Sequence, residues 1–328
     1  MSRLIRRSLV VTALALAFLP GRADASLTAF QTYNGTVAYS SDGFGSLTNN
    51  GTISASVPVG STVLAAYLYT ATFGGAGSAA AAGGTLDGSA VAYGAAVLNP
   101  GNGLAMRRAD VTAIVAPVIN GGPGGVYNFA VTETSSSQDG EALIVVYSNP
   151  TLLDATVGIL DGFSAVGGDN TAINFANPLN PAAPGFFAEM IIGDSFSCCG
   201  QRSTIEVNGT TMTVNAGNND DGAVVSNGSL ITVGGYDDPF SPANPSYADD
   251  HERYNLIPFI TAGDTSISVF TQNPSTDDNI FMATFYVSGL AAINEPPPPP
   301  RGVPDQPETL LLMGLGLAAI WAVNYRRA

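Results

Sequence analysis

Apolar and polar residues alternate in short segments along most of the chain, and turn-forming residues separate these segments. Between Thr52 and Val57 the apolar positions are Ile53, Ala55 and Val57, which is the period of a β-strand with one buried face. Further strand candidates are Leu64–Tyr69, Leu143–Tyr147, Ile267–Phe270 and Phe281–Val287. No internal stretch keeps a helical period, and short helical turns are expected only around Asp110–Val115. The pattern therefore predicts an all-β protein.

The pattern also predicts a β-hairpin in the second half of the chain. Asn208-Gly209 lies between the segments Ile205–Val207 and Met212–Val214. Asn-Gly is favoured in two-residue hairpin turns because both positions need a positive φ. We therefore expect the two segments to pair as antiparallel strands.

The two halves of the chain share five short patterns in the same order, which suggests an internal duplication. The paired segments are Ala66–Tyr69 with Ala188–Ile191, Leu86–Gly88 with Val207–Gly209, Arg108–Val111 with Arg253–Leu256, Val126–Val131 with Thr265–Phe270, and Asp139–Glu141 with Asp277–Asn279. A duplication predicts two tandem β-sandwiches of jelly-roll or Greek-key type, residues 26–153 and 154–294, which meet near Leu153. Chance similarity between β segments is the alternative, and it predicts one larger sandwich.

Residues 1–25 have the parts of a secretory signal peptide. Three arginines among the first seven residues give a positive start, Leu9–Leu19 is an apolar run, and Pro20 ends it. Small residues follow, so we expect transport by the Sec machinery and cleavage between Ala25 and Ser26 by signal peptidase. A retained anchor is the alternative, although the apolar run is short for a membrane-spanning helix.

The C-terminal end has three parts in order. Residues 295–302 form a proline-rich linker with the run Pro296–Pro300, which is stiff and extended. Leu310–Val323 is wholly apolar, and a transmembrane helix over residues 309–325 would place the basic pair at 326–327 in the cytoplasm. A buried core helix is the alternative, which the preceding prolines and the following arginines disfavour.

Residues 303–328 resemble the PEP-CTERM sorting signal of Gram-negative bacteria. In that family a short motif of the Val-Pro-Glu-Pro type precedes an apolar helix and a basic cluster. The motif residues here are Val303, Pro304, Asp305, Gln306, Pro307, Glu308 and Thr309, and their centre departs from the usual Glu-Pro pair. The resemblance implies recognition by an exosortase-like membrane transpeptidase, loss of the tail, and a role linked to extracellular polysaccharide and the biofilm matrix.

The body between the two ends also resembles, more loosely, surface β domains of bacteria and archaea. The similarity lies in the segments Asp110–Thr112 and Leu143–Tyr147. This resemblance implies a β fold and carries no activity with it.

The body is strongly acidic, since Ser26–Glu295 holds four arginines, no lysine, and 23 aspartates and glutamates. Such a surface repels phosphate backbones, so nucleic acid is excluded as a partner. The 38 glycines and 21 prolines favour short strands joined by turns over long helices. A solvated acidic surface accounts for most of the charge, and it also attracts cations.

No set of residues in the sequence is arranged as a catalytic site. The single histidine, His251, lies in the charged segment Asp249–Arg253, and a Ser-His-Asp site would need it as the base. No serine lies in a nucleophile elbow, and the glycines form no phosphate-binding loop. Carboxylate pairs for glycoside hydrolysis exist in any chain this acidic, so they indicate nothing. We predict that the protein is not an enzyme and requires no cofactor.

Calcium is the one ion for which the chain offers suitable ligands. The loop ahead of Arg253 contains Asp237, Asp238, Asp249 and Asp250, and calcium prefers carboxylate oxygens. No EF-hand or nonapeptide spacing is present, so solvated turn carboxylates are the alternative. The hypothesis is a structural Ca²⁺ bound by this loop.

The same loop is a candidate carbohydrate site. It contains Tyr236, Phe240, Tyr247 and Tyr254, and exposed aromatic rings of β-sandwich modules stack on sugars. The alternative is that these rings attach an irregular loop to the sheet. The single tryptophan, Trp321, lies in the tail, which weakens the case for sugar stacking.

The two cysteines are adjacent, at Cys198 and Cys199. In an oxidising compartment they can form a vicinal disulfide, although neighbouring Cα atoms are closer than disulfide geometry prefers. Two thiols, or bridges to other chains, are the alternatives.

These observations predict an exported structural or interaction protein. Its C-terminal helix holds it at the inner membrane for a time, and it then reaches the cell surface or the medium. A carbohydrate- or calcium-binding surface module is the alternative on the same route, and an extracellular hydrolase is the weakest alternative.

Overall fold

The structure, a computed structural model, describes residues 26–45, 47–99, 102–218, 221, 230–274 and 280–299. Within these ranges the chain forms twenty β-strands and two short α-helices, and each strand pair is antiparallel. The predicted all-β class is confirmed. The predicted signal peptide and the predicted sorting tail with its transmembrane helix lie outside the described residues.

The elements follow one another along the chain with short connections. The strands are β1 (Thr28–Gly35), β2 (Val37–Phe44), β3 (Asn50–Val57), β4 (Thr62–Thr72), β5 (Gly84–Leu86), β6 (Ser89–Ala90), β7 (Val97–Leu98), β8 (Ala105–Asp110), β9 (Gly125–Glu133), β10 (Gln138–Ser148), β11 (Ala155–Asp161), β12 (Asp169–Phe175), β13 (Ala188–Asp194), β14 (Ser203–Val207), β15 (Thr210–Ala216), β16 (Thr232–Val233), β17 (Arg253–Asn255), β18 (Ser266–Gln272), β19 (Ile280–Ser288) and β20 (Ala291–Ile293). The helices are α1 (Gly75–Ala81) and α2 (Thr112–Ile119), and the 3₁₀ turns are Cys198–Gly200 and Ile257–Phe259.

The strands form four sheets, which we name by their place in the fold. Inner sheet 1 has the order β2-β10-β4-β8-β7, and outer sheet 1 has the order β3-β9-β5-β6. Inner sheet 2 has the order β1-β11-β19-β13-β16, with β17 also paired to β13. Outer sheet 2 has the order β15-β14-β18-β12-β20.

Three apolar cores join these sheets into a stack. One core lies between the sheets of the first half, one between the sheets of the second half, and one between the two inner sheets. Strand β10 shows how the sequence permits this, because Leu143 packs with Phe129 of outer sheet 1 while Ile144 packs with Phe281 of inner sheet 2. A strand covered on both faces needs a continuous apolar run, and Leu143–Tyr147 is such a run.

The two halves have equivalent strand orders. In the inner sheets β2-β10-β4-β8 corresponds to β11-β19-β13-β17, and in the outer sheets β3-β9-β5-β6 corresponds to β12-β18-β14-β15. Four of the five segment pairs aligned in the sequence lie on, or directly beside, equivalent strands, and Asp277–Asn279 of the fifth pair lies outside the described residues. Strand β1 breaks the symmetry, since it precedes the first half in sequence but pairs with β11 of the second half.

The local predictions can be compared with the structure at two places. The expected hairpin is present as β14–β15, and Asn208 and Gly209 have φ values of 50° and 74°, as its turn requires. Short helical turns were expected around Asp110–Val115, and the structure has a helix, α2, that continues to Ile119. Its Val115 and Ile119 are buried against the sheet. Tertiary packing of these two side chains extends a helix that has a proline, Pro117, inside it.

Candidate functional site

A cavity of about 390 Å³ lies beside the second half of the molecule, at the outermost strand of outer sheet 2. Its walls come from β15, from the loop before β17, and from the 3₁₀ turn that follows β17. The lining residues are Thr210, Thr211, Met212, Phe240, Ser241, Pro242, Ala243, Asn244, Tyr254, Asn255, Pro258 and Phe259. No acidic or basic side chain is among them, so the cavity combines apolar surface with neutral hydroxyl and amide groups.

The loop wall of the cavity is fixed by hydrogen bonds to Ser241. The Ser241 main-chain N–H donates to the carbonyl oxygen of Arg253 at 2.8 Å. Its hydroxyl donates to the Asp250 carboxylate at 3.0 Å and accepts from the His251 main-chain N–H at 2.7 Å. Asp250 is fully buried and also accepts from the Thr213 hydroxyl at 2.5 Å. The loop is therefore attached to β15 and β17 at the level of the cavity.

Phe240 is the exposed aromatic ring of the cavity, with 43% of its surface accessible. The Arg253 guanidinium lies over this ring, 4.7 Å from the centroid, which is within the range of a cation–π contact. The same guanidinium donates to the Asp238 carbonyl oxygen at 2.9 Å and to the Glu189 carboxylate at 3.2 Å. Phe240 is thus held at the surface by a cation that is itself fixed on both sides.

The other aromatic residues of the predicted carbohydrate loop have different roles. Tyr254 reaches the cavity wall but is almost fully buried in the core of the second half. The Tyr247 hydroxyl donates to the Ser197 carbonyl oxygen at 2.7 Å, so this residue attaches the loop to the connection after β13. Tyr236 lies outside the cavity, and its main-chain N–H donates to the Ser41 carbonyl oxygen at 2.9 Å. Of the four aromatic residues predicted for a sugar site, Phe240 and Tyr254 line the cavity, and Phe259, which the sequence analysis did not single out, lines it as well.

The four predicted calcium ligands lie in two different environments. Asp237 and Asp238 both lie against Gly235. Their nearest oxygens are 2.9 Å and 3.1 Å, respectively, from the position that a Cβ atom would take at this glycine. Asp250 instead faces Thr213 and Ser241, while Asp249 is exposed. Among the residues that the structure describes, no group of three or more histidine, cysteine, aspartate or glutamate side chains could hold a metal ion. Calcium binding by this loop stays a prediction.

Asp42 of β2 also lies near Gly235, and no sequence pattern predicted this. An oxygen of Asp42 lies 3.7 Å from the same Cβ position, although 193 or more residues separate the two segments. Burial, together with the charges of Asp237 and Asp238, raises the pKa of Asp42 to about 7. Burial likewise raises the pKa of Asp238. This acidic group connects the first half of the molecule to the second.

The adjacent cysteines form a 3₁₀ turn on the surface with Gly200. Their Sγ atoms lie 2.9 Å apart, and Cys199 has a φ of 69°. A disulfide between Cys198 and Cys199 stays a prediction.

Ser26, which follows the predicted cleavage site, is attached to the body. The Ser26 hydroxyl donates to the Asp169 carboxylate at 2.8 Å, and Leu27 is buried in the core of the second half. Ala25 and the sorting motif Val303–Thr309 lie outside the described residues. No helix in the part of the chain that the structure describes is long and apolar enough to cross a membrane.

Comparison of this chain with protein-family models, with curated proteins and with solved structures gave no match.

Proposed function

We propose that this chain is an exported, non-enzymatic protein of the cell surface or extracellular matrix. In this proposal the Sec machinery and signal peptidase act at residues 1–25, and an exosortase-like transpeptidase removes the tail at residues 303–328. The body that remains is an interaction module. The proposal rests on the two terminal patterns and on the resemblance of the tail to PEP-CTERM signals.

The position of the two ends of the body is the observation that supports this proposal most. Ser26 is attached to Asp169, the first residue of β12, and the main-chain N–H of Asn294 donates to Ala172 of the same strand at 2.8 Å. Residues 26–32 and 293–295 line one surface groove. Because the two ends leave from one place, the body can face the membrane with one surface while the signal peptide and the tail are both still attached.

The cavity lies away from these ends. Strand β15, which lines the cavity, and strand β20, which ends the fold, are the two outermost strands of outer sheet 2. Four strand spacings separate them, or roughly 19 Å. In a protein tethered by its C-terminal tail, the cavity is then presented on the far edge of the sheet.

We further assign each pair of sheets to a jelly-roll β-sandwich. The support is the strand order, in which the eight strands of each half are arranged as 1-8-3-6 in the inner sheet and 2-7-4-5 in the outer sheet. Double-sheet jelly rolls of eight strands occur in lectin and capsid domains, which are binding and structural modules.

The experiment that tests the main proposal follows a tagged protein through cell fractionation. The full chain should appear at the surface or in the medium, and a chain truncated after Gly302 should lack surface attachment. The third chain keeps the whole tail, including Arg326 and Arg327, and carries Val303→Ala and Pro304→Ala. It should accumulate at the inner membrane, because its tail is present but its sorting motif is not. Equal distribution of all three chains would exclude sorting through the tail.

A second candidate function, carbohydrate binding, is favoured by the cavity. Its neutral hydroxyl and amide groups, beside the exposed Phe240 ring, are the kinds of group that bind a sugar ring. The absence of charged side chains from its lining favours a neutral polysaccharide over an acidic one.

A glycan array tests the second candidate. Phe240→Ala should lose binding, whereas Phe73→Ala should retain it, because Phe73 is a similarly exposed ring outside the cavity that stacks on Phe196. Absence of any bound neutral glycan, or equal loss in both variants, would reject the cavity as a sugar site.

A further inference from the structure

Two glutamates lie buried between the two sheets of the first half. Glu133 is the last residue of β9 in outer sheet 1, and Glu141 lies in β10 of inner sheet 1. Their exposed fractions are 5% and 1%. The two carboxyl groups lie close enough for the charge of Glu133 to raise the pKa of Glu141.

Most of the oxygens of this pair have no donor. Glu141 Oε1 accepts from the Tyr93 hydroxyl at 3.1 Å and from Gln138 Nε2 at 3.1 Å. Glu141 Oε2 and both carboxyl oxygens of Glu133 are buried and have no hydrogen-bond partner among the described residues. A buried acceptor without a donor is costly, and a buried carboxylate without one is more so.

Arg107, the basic residue beside the pair, donates its hydrogen bonds to main-chain carbonyl oxygens. Arg107 lies over the Tyr93 ring, 5.6 Å from its centroid. Its nitrogens donate to main-chain carbonyl oxygens of Ala79, Ala82, Tyr93 and Gly94 at 2.8–3.2 Å. The register partners of the two glutamates are Gly84 of β5, Thr70 of β4 and Phe44 of β2, which carry no charge. Among the described residues, the titratable and charged groups at this place are the two glutamates, Tyr93 and Arg107.

One shared proton removes the repulsion between the two carboxylates and supplies a donor to their oxygens. Two ionised carboxylates are acceptors only, so they repel each other and cannot form a hydrogen bond. When one of them is protonated it becomes a donor to the other, and a single negative charge is left in the site. This charge is already stabilised by the Tyr93 hydroxyl and the Gln138 amide.

We infer that Glu133 and Glu141 hold one proton between them in the folded protein, and that loss of this proton weakens the joint between β9 and β10. The pair is connected to that joint through Gln138, whose Oε1 accepts from the main-chain N–H groups of Gly83, Thr134 and Ser135 at 3.1–3.2 Å. Ionisation of both glutamates breaks the carboxyl–carboxyl bond and disturbs the glutamine that holds this turn.

The acid pair belongs to the first half alone. In the inner sheets, Ala66 pairs with Val145 in the first half and Ala188 pairs with Val287 in the second half. When these two pairs are aligned, Ala283 takes the position of Glu141. In the outer sheets, the main-chain N–H of Asp87 donates to Ala130 and that of Asn208 donates to Ser268. When these two contacts are aligned, Thr271 takes the position of Glu133. The same fold is thus built without an acid pair in the second half, so the pair is not a requirement of the fold.

The direction of the pH effect follows from the carboxyl pKa values. Burial raises the pKa of Glu133 to about 7, and burial together with the Glu133 charge raises the pKa of Glu141. In the unfolded chain both pKa values return to about 4.3. The folded protein therefore binds more protons than the unfolded chain above pH 4.3. The stabilisation is fully present below that pH. It is lost in two steps, first as the pH rises through about 7, where Glu133 ionises, and then at higher pH, where the remaining proton leaves the pair.

Denaturant unfolding of the full chain between pH 5 and 8.5 tests the inference. Glu141→Gln and Glu133→Gln each provide an N–H donor in place of the shared proton, so both should fold. Each should lower the number of protons released on unfolding, read from the slope of stability against pH, by about one. Glu206→Gln, a matched change in β14, should leave this number unchanged.

Two results would overturn the inference. The first is a wild-type pH slope that persists in both glutamine variants. The second is a calcium-dependent stabilisation at pH 8 that both variants abolish, because it would show a metal ion in place of the proton. If neither variant folds, hydrogen exchange of the wild type decides. Protection of the Gly83, Thr134 and Ser135 amides should fall between pH 6 and 8.5 beyond the intrinsic effect of hydroxide, and unchanged protection would reject the inference.

Discussion

Asp87 and Asn208 occupy the same position in the two halves of the molecule. Each starts a two-residue hairpin turn with a positive φ, 46° and 50° respectively. Asp87 Oδ1 accepts from the Ala130 main-chain N–H at 2.8 Å, and Asn208 Oδ1 accepts from the Ser268 main-chain N–H at 2.9 Å. Two different side chains therefore make one equivalent contact between a turn and the neighbouring strand.

This relationship predicts which exchanges the turns tolerate. Asp87→Asn keeps both the acceptor and a residue that accepts positive φ, so it should change the free energy of unfolding by less than about 0.5 kcal/mol. Asn208→Asp keeps the same two properties but loses the hydrogen bond that Asn208 Nδ2 donates to the Phe259 carbonyl oxygen at 2.9 Å, so it should destabilise by about 1 kcal/mol. Asp87→Ala and Asn208→Ala lose both properties and should destabilise by about 1–3 kcal/mol. Denaturant titration followed by circular dichroism measures the difference. Equal losses for the conservative and the alanine variants would contradict the equivalence.

The core between the inner sheets predicts that the two halves unfold together. Phe281 is fully buried in this core, and Phe281→Ala should cost about 3–5 kcal/mol. Because strands of both halves contribute to the core, a single transition at lower denaturant concentration is expected. Val214→Ala, at a half-exposed position of β15, is the control and should have little effect. Two separate transitions, with only one of them shifted, would show that the halves are independent.

The buried carboxyl group of Asp42 predicts a second pH effect. Its pKa of about 7 lies above the unfolded value, so its contribution to stability is present below about pH 4 and is lost as the pH rises through 7. Asn at this position can still accept from Ser54, whose main-chain N–H donates to Asp42 at 2.5 Å. Asp42→Asn should therefore match the wild type at pH 5 and exceed it by about 1–2 kcal/mol at pH 8.5.

Thermal melts at several pH values, with Asp249→Asn as the control at an exposed aspartate, measure this effect. A wild-type protein that is the more stable of the two at pH 8.5 would show that the ionised Asp42 carboxylate is stabilising.

Calcium binding by the Asp237–Asp250 loop is tested by melting with and without the ion. If the loop binds calcium, millimolar CaCl₂ should raise the melting midpoint relative to a chelator, because a ligand of the folded state stabilises it. Asp237→Asn with Asp238→Asn should remove the shift, while Asp264→Asn, outside the loop, should retain it. Identical midpoints with calcium and with chelator would reject the metal site.

The positions of the strands along the chain could be predicted from the sequence, whereas the pairing of strands in space could be predicted less well. Alternation in Thr52–Val57 and the Asn208-Gly209 turn are local signals, because side-chain period and turn conformation depend on adjacent residues. The pairing of β1 with β11 had no such signal, since any edge strand of this pattern can join either sheet. Helix α1 was also missed, because its glycine- and alanine-rich sequence has no apolar period.

The candidate site was predictable only in part, for the same reason. The loop before β17 was singled out by its aromatic and acidic residues, and Phe240 does line a cavity. The opposite wall, Thr210–Met212, belongs to the hairpin that the sequence predicted, but no local signal indicated that this hairpin packs beside the loop. Asp42 and the Glu133–Glu141 pair carry no motif, because tertiary packing of distant strands brings each of them to its partners.

The mass and N-terminal sequence of the protein recovered from the cell surface and the medium test the central proposal most directly. The account predicts a chain that begins at Ser26, where the body is attached to Asp169, and that lacks the apolar tail after the sorting motif at residues 303–309. Recovery of the uncut chain of 328 residues from the cytosol would contradict it.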